Sequence, residues 1–126
     1  MCDDISPYLF PFFIIGCDCQ TVQITLKDHV QIYQGANHTF QKSEIVNGKR
    51  SWVSLSRAIW YDPVIEDWKI GTLGNLGTST GSIVTAVNQN QKSIKCPYDY
   101  PSDVWKYYDG GSWLFTSVGD VIVECL

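Results

Sequence analysis

Ser51-Trp52-Val53-Ser54-Leu55, Arg57-Ala58-Ile59-Trp60-Tyr61 and Glu66-Asp67-Trp68-Lys69-Ile70 follow one another along the chain, with tryptophans eight residues apart. Eight residues make one short strand plus one turn. The spacing therefore predicts a meander in which each tryptophan recurs at about the same height in successive strands. Trp105 and Trp113 repeat the interval. Helical periodicity is absent elsewhere, and short runs rich in Val, Ile, Thr, Trp and Tyr alternate with Gly, Pro, Asn and Asp. Strands are expected near 8–15, 20–26, 29–34, 40–46, 51–55, 57–61, 66–70, 82–88, 104–108, 112–116 and 120–125. Gln20-Thr21-Val22-Gln23-Ile24-Thr25-Leu26 alternates polar and apolar, so one face is buried and the other wet. Asp120-Val121-Ile122-Val123-Glu124-Cys125 reads as a more buried strand. Lys27-Asp28, Asn47-Gly48 and Asp109-Gly110-Gly111 are the expected turns, Asn-Gly being the strongest such signal. The expected fold class is all-β, an antiparallel β-sandwich with disulfide staples and an N-terminal apolar strand or tail.

The chain has 126 residues, enough for one domain, with 44% apolar and 17% charged side chains. That composition builds a core and excludes a disordered chain. Nine Lys and Arg stand against 13 Asp and Glu, for a net charge of −4. No net basic field draws in nucleic acid, and none favours an anionic membrane.

Five cysteines are many for this length: Cys2, Cys17, Cys19, Cys96 and Cys125. None forms a C-x-x-C pair, and the only histidines are His29 and His38, so a structural zinc site is not expected. Disulfides are. Cys19 opens a strand-like run and Cys125 ends the last one, and first and last strands of a β domain are often neighbours. The guessed pairing is Cys19–Cys125 with Cys17–Cys96, although four cysteines allow three pairings and sequence does not choose among them. Cys2 is left over. Asn37-His38-Thr39 is an N-glycosylation sequon. With the cysteines it points to an extracellular or cell-surface location.

Tyr8-Leu9-Phe10-Pro11-Phe12-Phe13-Ile14-Ile15 is the most apolar run and is too short to span a bilayer. Met1-Cys2-Asp3-Asp4 is acidic where a signal peptide wants positive charge, and cleavage residues are missing. The reading is a mature chain or fragment, divided into an apolar segment 1–18 and a β domain 19–126. Residues 7–15 need a dry place, either over the domain's own core or on a neighbouring subunit. Strand addition along an open sheet edge would suit them, with Pro7 and Pro11 tolerated there and Cys2 placed to lock the contact. A head-to-tail contact of this kind does not close and gives a filament.

Tryptophans in such a meander ordinarily form the core; the functional alternative is an exposed aromatic platform that stacks on sugar rings. The loop Gly71 to Gly81 carries four glycines but no Gly-Lys-Ser/Thr ending and no following helix. It is expected to be a mobile or glycine-packed connection.

Several pieces in order carry a resemblance. They are Val46-Asn47-Gly48-Lys49-Arg50-Ser51-Trp52, Ala58-Ile59-Trp60-Tyr61, Asp67-Trp68-Lys69-Ile70-Gly71, Cys96-Pro97, Asp103 to Trp113, and Asp120 to Cys125. This resembles a loosely defined secreted β-domain repeat of multi-module extracellular proteins in protists and marine invertebrates. In that repeat an N-G-R-P-x-Y turn precedes a W-x-I-G strand and an I-x-V-x-C ending. Arg50-Ser51-Trp52 departs from its turn. The resemblance covers about residues 19–125 and implies an extracellular module for adhesion, matrix or filament building, with no catalytic residues to carry over.

Catalytic constellations are poor. There is no G-x-S-x-G, and neither histidine is placed for a triad. Glu66 and Asp67 are adjacent on a strand and point to opposite faces, which does not suit glycosidase chemistry. Asp99, Asp103 and Asp109 lack the calcium-loop pattern. The expected function is a non-enzymatic extracellular structural or adhesion subunit that self-associates, with a filament formed through Cys2, Tyr8, Leu9, Phe10, Phe12, Phe13, Ile14 and Ile15. No metal or cofactor is expected. The alternative is a carbohydrate-binding module using surface Trp and Tyr, with a glycan as its partner.

Overall fold

The computed structural model describes residues 16–30, 37–86 and 95–126, apart from the side chains of Asp28 and Asn37. The expected strand 8–15, the thiol of Cys2 and the 31–34 part of an expected strand lie outside the described residues.

Among the described residues nine strands form one antiparallel sheet. They are β1 (Thr21–Leu26), β2 (Asn37–Val46), β3 (Lys49–Val53), β4 (Arg57–Asp62), β5 (Asp67–Thr72), β6 (Ile83–Thr85), β7 (Trp105–Tyr108), β8 (Trp113–Phe115) and β9 (Val121–Cys125). Their order is β9-β1-β2-β3-β4-β5-β6-β7-β8. The described residues are all-β and antiparallel, as expected, but they form one curled sheet where a two-sheet sandwich was expected. Chain connectivity forces the curl. β8 and β9 are the two ends of the sheet, yet only residues 116–120 join them. A flat sheet of this order would be about 38 Å wide at ~4.8 Å per strand. The link from Phe115 to Val121 reaches only about 20 Å. The sheet therefore bends into a half-barrel that brings its ends together.

Alternation builds the inner face. β1 buries Val22, Ile24 and Leu26 and leaves Thr21, Gln23 and Thr25 half-buried. Phe40, Trp52, Ile59, Tyr61, Trp68, Ile70, Ile83, Trp105, Tyr107, Val121 and Val123 complete the core. A bulge in β2 between Lys42 and Ile45 shifts the register against β3. Bulges bend the strand that carries them, in the sense the curl needs. The carbonyls it displaces are taken up locally: the Arg50 guanidinium donates to Ser43 O at 2.8 Å and the Ser51 hydroxyl to Glu44 O at 2.7 Å.

The eight-residue interval does bring the tryptophans to similar heights, but not to one face. Trp52 lies opposite Ile59 and Trp68 opposite Tyr61, so Trp60 is one position off both and turns outward. Trp52 and Trp68 meet on the inner face with ring centroids 6.0 Å apart. Trp60 is nonetheless fully buried, because the glycine-rich loop folds over the outer face. Its indole N–H donates to Thr78 O at 2.9 Å. Gly71 and Gly81 admit this packing. A Cβ on Gly71 would lie 2.9 Å from the Trp60 ring, and one on Gly81 would lie 3.0 Å from Lys69 Cβ. The loop is thus the glycine-packed connection of the two expected. Beneath it Lys69 Nζ lies 3.7 Å from Asp62 Oδ2, both side chains buried.

Two elements depart from expectation. Asp28–Val30 is a 3-10 turn, where residues 29–30 were expected to begin a strand. Lys27-Asp28 accordingly does not form a two-residue hairpin. Val30 is fully buried there, so the backbone turns to put one apolar side chain into the core. Asn47-Gly48 does form the expected tight turn, with φ of 55° and 86°.

Candidate association site

The β7–β8 hairpin carries the largest exposed aromatic cluster among the described residues. Its turn is built by Asp109. The carboxylate Oδ1 accepts the backbone N–H groups of Gly111 and Ser112, each at 2.9 Å, and Gly110 takes φ 103°. Those bonds, Ser112 first, hold the Asp109 carboxyl below the usual carboxylate range. The turn sets the register Lys106↔Phe115, Tyr107↔Leu114 and Tyr108↔Trp113. At the other end of β8 the buried Thr116 hydroxyl donates to Trp105 O at 2.9 Å.

Between these anchors β8 is exposed on both sides. Trp113 is 42% exposed, Leu114 40% and Phe115 74%, with Tyr108 at 42% beside them. The Tyr108 and Trp113 rings are 5.5 Å apart, and Lys106 Nζ sits 5.5 Å over the Trp113 ring. Among the described residues β8 has a strand neighbour on one side only. Val118, in the link that follows, is also exposed.

The other expected site residues are placed as follows. Disulfides join Cys17 to Cys96 and Cys19 to Cys125, with Cα separations of 5.4 and 5.8 Å. Both staple the start of the described chain to its later parts. Asn37 opens β2 opposite Thr25, and Thr39 of the sequon is exposed. His38 and Thr39 border a shallow groove of about 550 Å³ whose far wall includes the fully exposed Leu55. Tyr8, Leu9, Phe10, Phe12, Phe13, Ile14 and Ile15 lie, like Cys2, outside the described residues. Trp52, Trp60, Trp68 and Trp105 are buried; only Trp113 offers a ring to solvent.

His29, from the 3-10 turn, meets Asp120 with Nε2 to Oδ2 at 3.1 Å. Asp120 also accepts the Ser117 N–H at 2.7 Å. That bond first, and His29 after it, holds the Asp120 carboxyl below its ordinary value against the opposing effect of burial. The Gly119 N–H donates to Ser102 Oγ at 2.7 Å, and His29 stands edge-on to Tyr107 with centroids 6.5 Å apart. These contacts clasp the β9 edge to the β7 region. Their geometry holds the fold closed and leaves β8 as the open chemistry.

The expected apolar contact residues lie outside the described residues, and the exposed apolar strand β8 was not among them. A signal was present. Trp113-Leu114-Phe115 are three large apolar residues in succession on a strand, and alternation forbids all three from facing one core. No protein-family model, curated protein or solved structure matches this chain. Among the described residues no helix is long and apolar enough to cross a membrane.

Proposed function

We propose that this chain is a non-enzymatic extracellular structural or adhesion subunit that self-associates. The observation that carries this reading is β8: an open sheet edge whose three residues are all large, apolar and exposed. Sheet edges in monomers are usually blunted by shortness, charge, proline or a bulge. β8 is short, at three residues, but carries no charge, proline or bulge, and its exposed aromatics are the residue types enriched at interface centres. Two disulfides and the Asn37 sequon support an oxidising compartment. The ordered resemblance to a secreted β-domain repeat points the same way. A filament needs in addition a contact that does not close; the apolar run of residues 7–15, with Cys2 before it, is the segment we assign to that contact. Sedimentation velocity over a range of concentrations tests the reading. The full chain is expected to associate, and deletion of residues 1–16 to stop growth beyond the smallest oligomer. A full chain that stays monomeric throughout overturns it.

A carbohydrate-binding reading rests on Tyr108 and Trp113, adjacent half-exposed rings beside Lys106. A glycan array with Trp113→Ala separates the two. Saturable sugar binding that this variant loses, with its circular dichroism unchanged, replaces the first reading.

A further inference from the structure

Hydrogen bonds at the two ends of the β7–β8 pair fix which way each β8 backbone group points. Thr116 donates its N–H to Trp105 O at 2.9 Å, and Asp109 donates to Ser112 O at 3.1 Å. Opposed residues in an antiparallel pair alternate between exchanging hydrogen bonds and exchanging none. Trp105/Thr116 and Asp109/Ser112 are bonded positions, so Tyr107/Leu114, midway between them, is bonded too. Lys106/Phe115 and Tyr108/Trp113 are the non-bonded positions. The Tyr108 N–H agrees, since it turns away from β8 to donate to Ser82 O at 3.0 Å. Leu114 is therefore satisfied by β7, while the N–H and C=O of Trp113 and Phe115 point outward from the sheet.

From this pattern we infer that β8 pairs with β8 of a second copy, antiparallel and two-fold about Leu114, an inference that rests on the self-association reading. Trp113 then lies opposite Phe115 of the second copy, and each such pair exchanges two N–H···O=C bonds. The two-fold axis repeats the pair, so four outward donors meet four outward acceptors. Side chains match in the same register. Trp113 and Phe115 share the face of Tyr108 and Lys106, since they are their cross-strand partners. Two cross-strand Trp–Phe pairs form on that face, and aromatic pairs are among the more favourable in sheets. Leu114 meets its own copy on the other face, where it extends the core beyond Tyr107. No carboxylate lies on β8, so two chains of charge −4 approach by their least repulsive edge. The opposite edge, β9, carries an exposed Glu124 and a Cys125 already held in a disulfide. It offers no comparable apolar match.

The test uses the full chain with Cys2→Ser, which removes the odd thiol. Leu114→Cys places two thiols at a non-bonded antiparallel position with Cα atoms about 4.5 Å apart, within disulfide reach. A covalent dimer on a non-reducing gel is expected. Phe115→Pro deletes one outward N–H per chain and spares every bond to β7. Phe115→Lys adds a charge to the edge. Each is expected to raise the dimer dissociation constant by about tenfold or more, equal to ~1.4 kcal/mol, with circular dichroism unchanged. If the chain self-associates but Leu114→Cys does not cross-link and both Phe115 variants associate normally, the β8 pairing is overturned and self-association stands. A chain monomeric at every concentration overturns both.

Discussion

Gly71 shows how one missing side chain decides what happens to another. Trp60 points to the outer face of the sheet, where a bare indole would meet water. It is buried because Gly71, one strand away, leaves room for the ring edge. Gly71→Ala sets a Cβ 2.9 Å from Trp60 and 3.3 Å from the Gly81 backbone, and neither is a flexible chain end. Overpacking of this kind costs about 1–3 kcal/mol. Gly74, in the same loop, has nothing within 4 Å of its would-be Cβ. Thermal melts are therefore expected to show a clear loss for Gly71→Ala and almost none for Gly74→Ala. Equal behaviour would mean that the loop does not seal Trp60. The residue types of this loop were legible from sequence as glycine packing or glycine mobility. Which of the two holds depends on the ring beneath, and residue spacing does not reveal the face on which a tryptophan lands.

Elements near the ends of the sheet depend on staples and a clasp. Cys19–Cys125 closes a loop of 106 residues and Cys17–Cys96 one of 79. In the chain-entropy model each contributes about 4–5 kcal/mol. That is comparable to half the stability of an ordinary domain, so removing both by Cys→Ala is expected to leave an unfolded chain by circular dichroism. Asp120 adds a pH-dependent contribution. Its folded pKa lies below the ordinary 3.8, so the stability it lends is complete above that value. It is lost as pH falls through the folded value. Asp120→Ala should lower the melting temperature at pH 7, and its gap from the native chain should close in strong acid. His29→Ala should lose less, because the Ser117 N–H is the larger cause of the shift. A gap that widens in acid would reverse the assignment. Most elements were legible from alternation and turn residues: β1 and β9 fall within a residue of expectation, as does the Asn47-Gly48 turn. His29 and Val30, expected to open a strand, were not, since local composition favours a strand, whereas Val30 is buried from a 3-10 turn. The Cys19–Cys125 bridge was legible from first and last strands being neighbours, which the β9–β1 register realises, whereas Cys17–Cys96 was one of the pairings that sequence left open.

At the scale of the whole molecule, the described half-barrel has two end strands, β8 and β9, and a well-covered middle, so backbone protection should be graded across it. β4 and β5 are buried on the inner face by the core and on the outer face by the glycine-rich loop. Their amides should exchange slowest, close to the global unfolding free energy. β8 is the informative extreme. In a lone chain the Leu114 N–H is bonded to β7, whereas those of Trp113 and Phe115 face solvent. Hydrogen exchange resolved by residue should therefore show one protected amide between two fast ones at low concentration. If the two-fold pairing forms, raising the concentration slows Trp113 and Phe115 together and leaves Leu114 nearly unchanged. Fraying of the hairpin would instead speed all three alike, with no dependence on concentration. Sugar binding at Tyr108 and Trp113 would cover side chains without bonding to the strand edge, so the two outward amides would stay fast at every concentration. Concentration dependence at the outward pair alone is thus the signature that separates strand pairing from the other uses of the same aromatic surface.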